Sequence, residues 1–120
     1  MGEALWVGLG GGLGAALRYG VGAALAGRLP FWAATLAVNV LGSFVLGAIF
    51  AKTPSGRTYI LGGTGFCGGF TTFSTFSLDA VRLWNSGQKI PAAMYAGVSL
   101  VLSVAALVAG FSAAGGKTGP

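Results

Sequence analysis

Seven basic and two acidic side chains are all the formal charge in this chain of 120 residues. A soluble domain carries charge on about a quarter of its positions, so a surface wetted on every side is excluded. Histidine is absent and cysteine occurs once, at Cys67. Those two facts remove His-based proton transfer, transition-metal ligation by His or Cys clusters, and any internal disulfide. Cys67 reads as a small buried apolar residue. The basic residues are dispersed, which excludes the clustered patch that nucleic-acid or polybasic lipid binding needs. The start, "MGEALWVGLG", lacks a basic leader and its apolar stretch runs long, so no cleaved signal peptide is expected.

Enzyme signatures fail as well. "GGGLGA" at 10–15 matches a dinucleotide fingerprint by letter, but no strand precedes it and no acidic residue follows some twenty positions on. "GGKT" near the C-terminus lacks the upstream glycine of a phosphate loop. The chain is not expected to be an enzyme.

What the chain does have is apolar length. It is 54% hydrophobic with 23 glycines. Four segments, about 4–26, 31–51, 58–84 and 91–112, are each long enough to cross a hydrocarbon core of about 30 Å. They form one transmembrane domain over 1–113, with 114–120 left as a tail. Between the spans sit "GRLPF", "AKTPSGRT" and "NSGQKIP", each joining Pro or Gly to a basic residue, as tight interfacial turns do. Trp32, Tyr59 and Trp84 fall near span ends, where amphipathic rings settle. Lys52, Arg57 and Lys117 belong to one side and Arg28, Arg82 and Lys89 to the other, so the positive-inside rule gives no orientation. Insertion both ways, allowing antiparallel pairs, is one reading of that balance.

The third segment is the unusual one. About 27 residues make about 40 Å of helix, more than a bilayer needs, and "GGTGFCGG" at 62–69 precedes the hydroxyl-rich "GGFTTFSTFS" at 68–77. This predicts a helix that breaks and restarts at about Thr72, with Phe73 and Phe76 on one face. Broken backbone at membrane depth survives only in protein or along water, and its carbonyls often hold a cation.

Two stripes of polar residues accompany the break. Thr35, Asn39 and Ser43 repeat at i, i+4, i+8 in span two, and Tyr95, Ser99 and Ser103 do so in span four. One hydroxyl in a membrane helix usually bonds its own backbone or a neighbouring helix. Two stripes beside a polar break point further, to a conduit. Asp79 lies toward the end of span three, near Arg82, and Glu3 at the chain start, so a carboxylate deep in the membrane is not expected. Uncharged donors suit an anion. A bare ion loses on the order of 20 kcal/mol of hydration at ε near 4, and one hydrogen bond to a charged group returns about 1.5–3 kcal/mol. Several donors in series are therefore needed. Aromatic ring edges, being electropositive, can join them. Arg18, deep in span one, either snorkels to the interface or gathers anions at a mouth.

The segments "GGGLGAALRY" at 10–19, "TLAVNVLGSFVLG" at 35–47 and above all "GFCGGFTTFSTFS" at 65–77 resemble the CrcB/Fluc fluoride channels, and the likeness covers nearly the whole chain. The resemblance implies an all-α membrane protein of four transmembrane helices with a broken third helix, assembled as an antiparallel, dual-topology homodimer. Two pores per dimer would conduct fluoride passively out of the cell across the bacterial cytoplasmic (inner) membrane. By the same resemblance Asn39, Phe73 and Phe76 face the pore, and Tyr95, Ser99 and Ser103 form a polar track on span four with Thr35 its counterpart on span two. Ser74 and Thr75 would form a secondary track, and Arg18 would lie at the vestibule. The main-chain carbonyls of Gly68 and Thr71, from both subunits, would hold a structural sodium ion (Na+). Expected partners are thus a second copy, fluoride and membrane lipid, with no nucleic acid. A small dual-topology exporter of cationic drugs shares the four spans and balanced charge, and a non-transporting assembly subunit would use the glycines for packing alone.

Overall fold

The computed structural model describes residues 2–117, all helices and turns among those residues; Met1 and the last part of the expected tail, 118–120, lie outside the described residues. Helix α1 runs Gly2–Leu25 and α2 runs Phe31–Lys52, with Pro30 at its N-cap. Proline suits that boundary, since it has no N–H to leave unpaired and cannot extend a helix backwards. A short α3, Gly56–Thr58, continues into a π-helical stretch Tyr59–Cys67 and a last turn α4, Gly68–Phe70. Backbone angles stay in the right-handed helical region through these junctions, so 56–70 is one rod. After an interruption come α5, Phe73–Asn85, and α6, Lys89–Ala113. Gly27 and Gly87 turn the chain with φ of +77° and +86°, values that other L-residues rarely adopt.

Helices α2 and α6 are long and apolar enough to cross a membrane, with mean hydropathy of 2.0 and 2.1 over their best windows. Their packing depends on missing side chains. A Cβ on Gly110 of α6 would sit 2.8 Å from the Phe44 carbonyl carbon of α2, and one on Gly47 of α2 would sit 2.9 Å from Phe111 N. Helix α1 approaches the π-helical rod in the same way. A Cβ on Gly10 would reach within 2.9 Å of Phe66 N, and one on Gly14 within 2.7 Å of Phe70 N. Small residues allow such close backbone contact where lipid supplies no hydrophobic drive between helices.

Little apolar surface is hidden inside the single chain. Leu83, Ala92 and Tyr95 form a small buried cluster against Trp32, Leu36, Phe76 and Ala80. By contrast Leu13, Leu100, Val101 and Ile90 are each more than 60% exposed. An exposed apolar surface of this extent is covered by lipid or protein. The long dimension, 46 Å, is close to a bilayer measured through its headgroups, about 40–45 Å.

Candidate functional site

The interruption in the third segment is two residues long. Thr71 and Thr72 are extended, with φ/ψ of −85°/158° and −151°/118°, and helix resumes at Phe73, one residue past the expected restart. Thr72 caps the new helix, its hydroxyl accepting from Thr75 N at 3.1 Å, which satisfies one of the first-turn N–H groups. The residues that leave the helix are threonines at ordinary extended angles, and side chains from two other helices hold the rod apart. Asn39 of α2 accepts from Thr72 N at 2.7 Å and donates through Nδ2 to Thr72 O at 3.1 Å. Arg18 of α1 donates from Nε to Gly69 O at 3.1 Å. The carbonyl of Cys67 accepts both Thr71 N and the Thr71 hydroxyl. Gly42 of α2 makes room, since a Cβ there would meet the Phe70 ring at 3.1 Å.

Two cavities border this break. The smaller, about 220 Å³, is lined by Asn39 and Ser43 of α2, by Thr71, Thr72, Phe73 and Phe76, and by Ser99, Leu100 and Ser103 of α6. No charged side chain lines it. The Ser99 hydroxyl is buried, with the Tyr95 hydroxyl its polar neighbour but outside good hydrogen-bond geometry. The Phe73 and Phe76 rings lie 5.4 Å apart at 45°, and Phe76 continues to Tyr95 at 5.3 Å and Tyr95 to Trp32 at 5.8 Å. These tilted rings present edges as well as faces. Phe73 is 79% exposed, so one wall of the cavity is open in a single chain.

The larger cavity, about 540 Å³, lies among α1, α2 and α5 and is lined by Arg18, Thr35, Thr72, Thr75, Asp79 and Arg82 among others. Its floor holds a carboxylate buried in protein, between the first turns of α2 and α6. Asp79 is 2% exposed. Its Oδ2 accepts from the Thr35 hydroxyl at 2.6 Å and from the Tyr95 hydroxyl at 3.3 Å. Arg82 is its neighbour one helical turn on, yet lies instead over the Phe31 ring, 4.2 Å from the centroid, a cation–π contact.

The residues singled out from sequence are therefore distributed. Asn39, Phe73, Phe76, Ser99 and Ser103 share the uncharged cavity, whereas Arg18, Thr35 and Thr75 share the charged one. Tyr95 stands between them, its ring on Phe76 and its hydroxyl on Asp79. Ser74 is exposed beside Thr72, 3.3 Å between hydroxyl oxygens. Gly68 is exposed with open space around it, and no hydrogen bond within the described residues reaches its carbonyl or that of Thr71. Asp79 and Thr72 were the residues that sequence reasoning left without a role. For Thr72 a signal existed, a threonine just ahead of a helix; for Asp79 there was none, because its partners come from distant spans.

A model of the family described as "CrcB-like protein, Camphor Resistance (CrcB)" matches residues 5–111. The chain is 44% identical over 119 aligned residues to a protein of Rhizobium johnstonii named "Fluoride-specific ion channel FluC", covering 92% of this chain and 94% of that one. It is 45% identical over 114 residues to a protein of the same name from Saccharophagus degradans, covering 87% and 84%. For the one from Cereibacter sphaeroides the identity is 47% over 116 residues, covering 93% and 94%.

Proposed function

The chain belongs to the CrcB family, and from that premise we propose that it is a fluoride-selective ion channel of the bacterial inner membrane, lowering the toxicity of fluoride by letting it leave the cytoplasm. It is an integral membrane protein and not an enzyme. The observation that carries the reading is the cavity beside the break, lined by Asn39, Ser43, Ser99 and Ser103 with the Phe73 and Phe76 rings and no charged side chain. A small anion suits such a lining of uncharged donors and ring edges. Fluoride accepts hydrogen bonds strongly, and the side chains of the cavity offer donors that carry no charge to retain it. Conduction needs binding favourable enough to enter and weak enough to leave.

The working unit in this reading is an antiparallel homodimer of four-span subunits with two pores. The Gly68 and Thr71 carbonyls, without hydrogen-bond partners among the described residues, are not tolerated against hydrocarbon. A second copy laid across this face would cover them and close the open wall beside Phe73. The even division of basic residues between the two sides suits insertion in both orientations.

The same face fits a sodium ion. Gly68 and Thr71 offer main-chain carbonyls without hydrogen-bond partners, and oxygen donors of this kind suit a hard monovalent cation. These carbonyls, from both copies, would hold the ion, which supplies a fixed positive charge and a cross-link between subunits. The residues of the break do the rest: they bind, orient and exclude lipid.

The buried Asp79 is the one feature that a proton-coupled exporter of cations would want. Two hydroxyls already engage it, and the uncharged cavity has no carboxylate through which a cation and a proton could exchange. The test is efflux from liposomes read with a fluoride electrode. Reconstituted protein is expected to pass fluoride and exclude chloride. Flux no greater than that of empty vesicles would remove the channel reading.

A further inference from the structure

Seen from the rod that precedes the break, Thr72 N–H has a natural acceptor. In a continuous α-helix it would donate to the carbonyl four residues back, Gly68 O. Here it donates at 2.7 Å to Asn39 Oδ1, while Asn39 Nδ2 donates at 3.1 Å to Thr72 O. One side chain of α2 thus takes both halves of the Thr72 backbone, in the manner of a strand pairing with its neighbour. The consequence falls on Gly68, whose carbonyl loses its helical donor and stays free. The carbonyls on either side do not share that state, since Cys67 O accepts from Thr71 and Gly69 O from Arg18.

We propose that Asn39 is a latch for the cation-binding carbonyl: by capturing Thr72 N–H it prevents the third helix from closing and keeps Gly68 O available to a monovalent cation. Asn39 is thereby a positioning residue for a site it does not touch, in addition to lining the uncharged cavity. The inference rests on the sodium reading given above. Without the latch, Gly68 O must give up a helical hydrogen bond before it can serve a cation, and the net worth of such a bond corresponds to about a tenfold change in an equilibrium at its upper end.

The acceptor, not the whole amide, is the operative half. Asn39→Asp keeps an oxygen for Thr72 N–H, whereas Asn39→Leu preserves bulk and offers none. The measurement is the thermal unfolding midpoint of the full-length protein in detergent, followed by tryptophan fluorescence, as sodium chloride replaces choline chloride at fixed ionic strength. Wild type is expected to be stabilised as sodium rises. Asn39→Asp should respond at the same or lower sodium, and Asn39→Leu should need about tenfold more. Should the leucine variant fail to fold, Asn39→Ser, too short to reach Thr72, carries the same expectation. A leucine or serine variant that responds at the wild-type concentration overturns the latch and leaves the sodium reading standing. An aspartate variant that behaves like leucine overturns it too, since the acceptor would then not matter. A wild-type midpoint indifferent to sodium overturns both.

Discussion

Two cavities share Thr72 and almost nothing else. One is lined by Arg18, Asp79 and Arg82; the other, less than half its volume, has hydroxyls, an amide and two phenylalanine rings but no charge. In the channel reading, the difference separates two tasks that a single environment performs badly. A guanidinium gathers anions from water, because its field acts over distances of about a Debye length. At contact the same charge retains what it gathered. Two unit charges 4 Å apart at an effective ε of 20 interact by about 4 kcal/mol, which is slow to escape. Neutral donors and ring edges hold an anion less tightly, so they suit the narrow part of a passage where the ion must keep moving.

The sharpest way to break this contrast is to put a charge where there is none. Ser99→Asp would set a carboxylate against the anion inside the uncharged cavity, where about 4 kcal/mol of repulsion lowers fluoride efflux by about a thousandfold. The variant should still run as the wild-type oligomer on size exclusion; unchanged efflux would mean that ions pass elsewhere. Removing the rings comes next. Phe73→Ile and Phe76→Ile keep the apolar bulk and lose the electropositive edges, and each should lower efflux by about tenfold, in line with the 0.5–1.5 kcal/mol that aromatic edge contacts supply. Equal transport in both variants would assign the rings to packing. Thr35→Val acts on the charged side instead. It strips Asp79 of its shorter hydrogen bond, 2.6 Å, and should lower resistance to denaturation by about 1 kcal/mol, the scale of interhelical hydrogen bonds in membranes. Its effect on efflux should be smaller than that of Ser99→Asp.

The sequence carried part of this contrast and hid part of it. The apolar runs at 31–51 and 91–112 lie within helices Phe31–Lys52 and Lys89–Ala113, because length and end-marking turns determine both. The break was readable because the third segment is longer than a bilayer needs and a glycine run precedes its hydroxyls. The π-helical winding of Tyr59–Cys67 was not, since composition does not distinguish bonds to the fifth residue from bonds to the fourth. The stripe Thr35, Asn39, Ser43 was read as one face, yet Thr35 opens on the charged cavity and the other two on the neutral one. Each step of four residues turns a helix by about 40° beyond a full circle, so a stripe of three wraps from one cavity to the next. Asp79 was hardest. Local spacing ties it to Arg82, whereas the fold brings hydroxyls from 44 and 16 positions away. A buried carboxylate is recognised by partners that only tertiary structure assembles.

Arg82 gives the smallest expected effect and the finest test of the division between the cavities. Its guanidinium lies over Phe31, 4.2 Å from the ring, and shares the larger cavity with Asp79 and Arg18. If its task is to raise the local concentration of anions, the contribution belongs to entry and is screened by salt. Arg82→Gln should then lower fluoride efflux about twofold to fivefold at 10 mM ionic strength, where the Debye length is about 30 Å. Near 1 M, with a Debye length of about 3 Å, variant and wild type should agree. If the uncharged cavity sets selectivity against chloride, that selectivity should be the same at both salts. A deficit that persists at high salt would place Arg82 in contact with the moving ion, and the separation between a charged mouth and a neutral passage would fail at that residue.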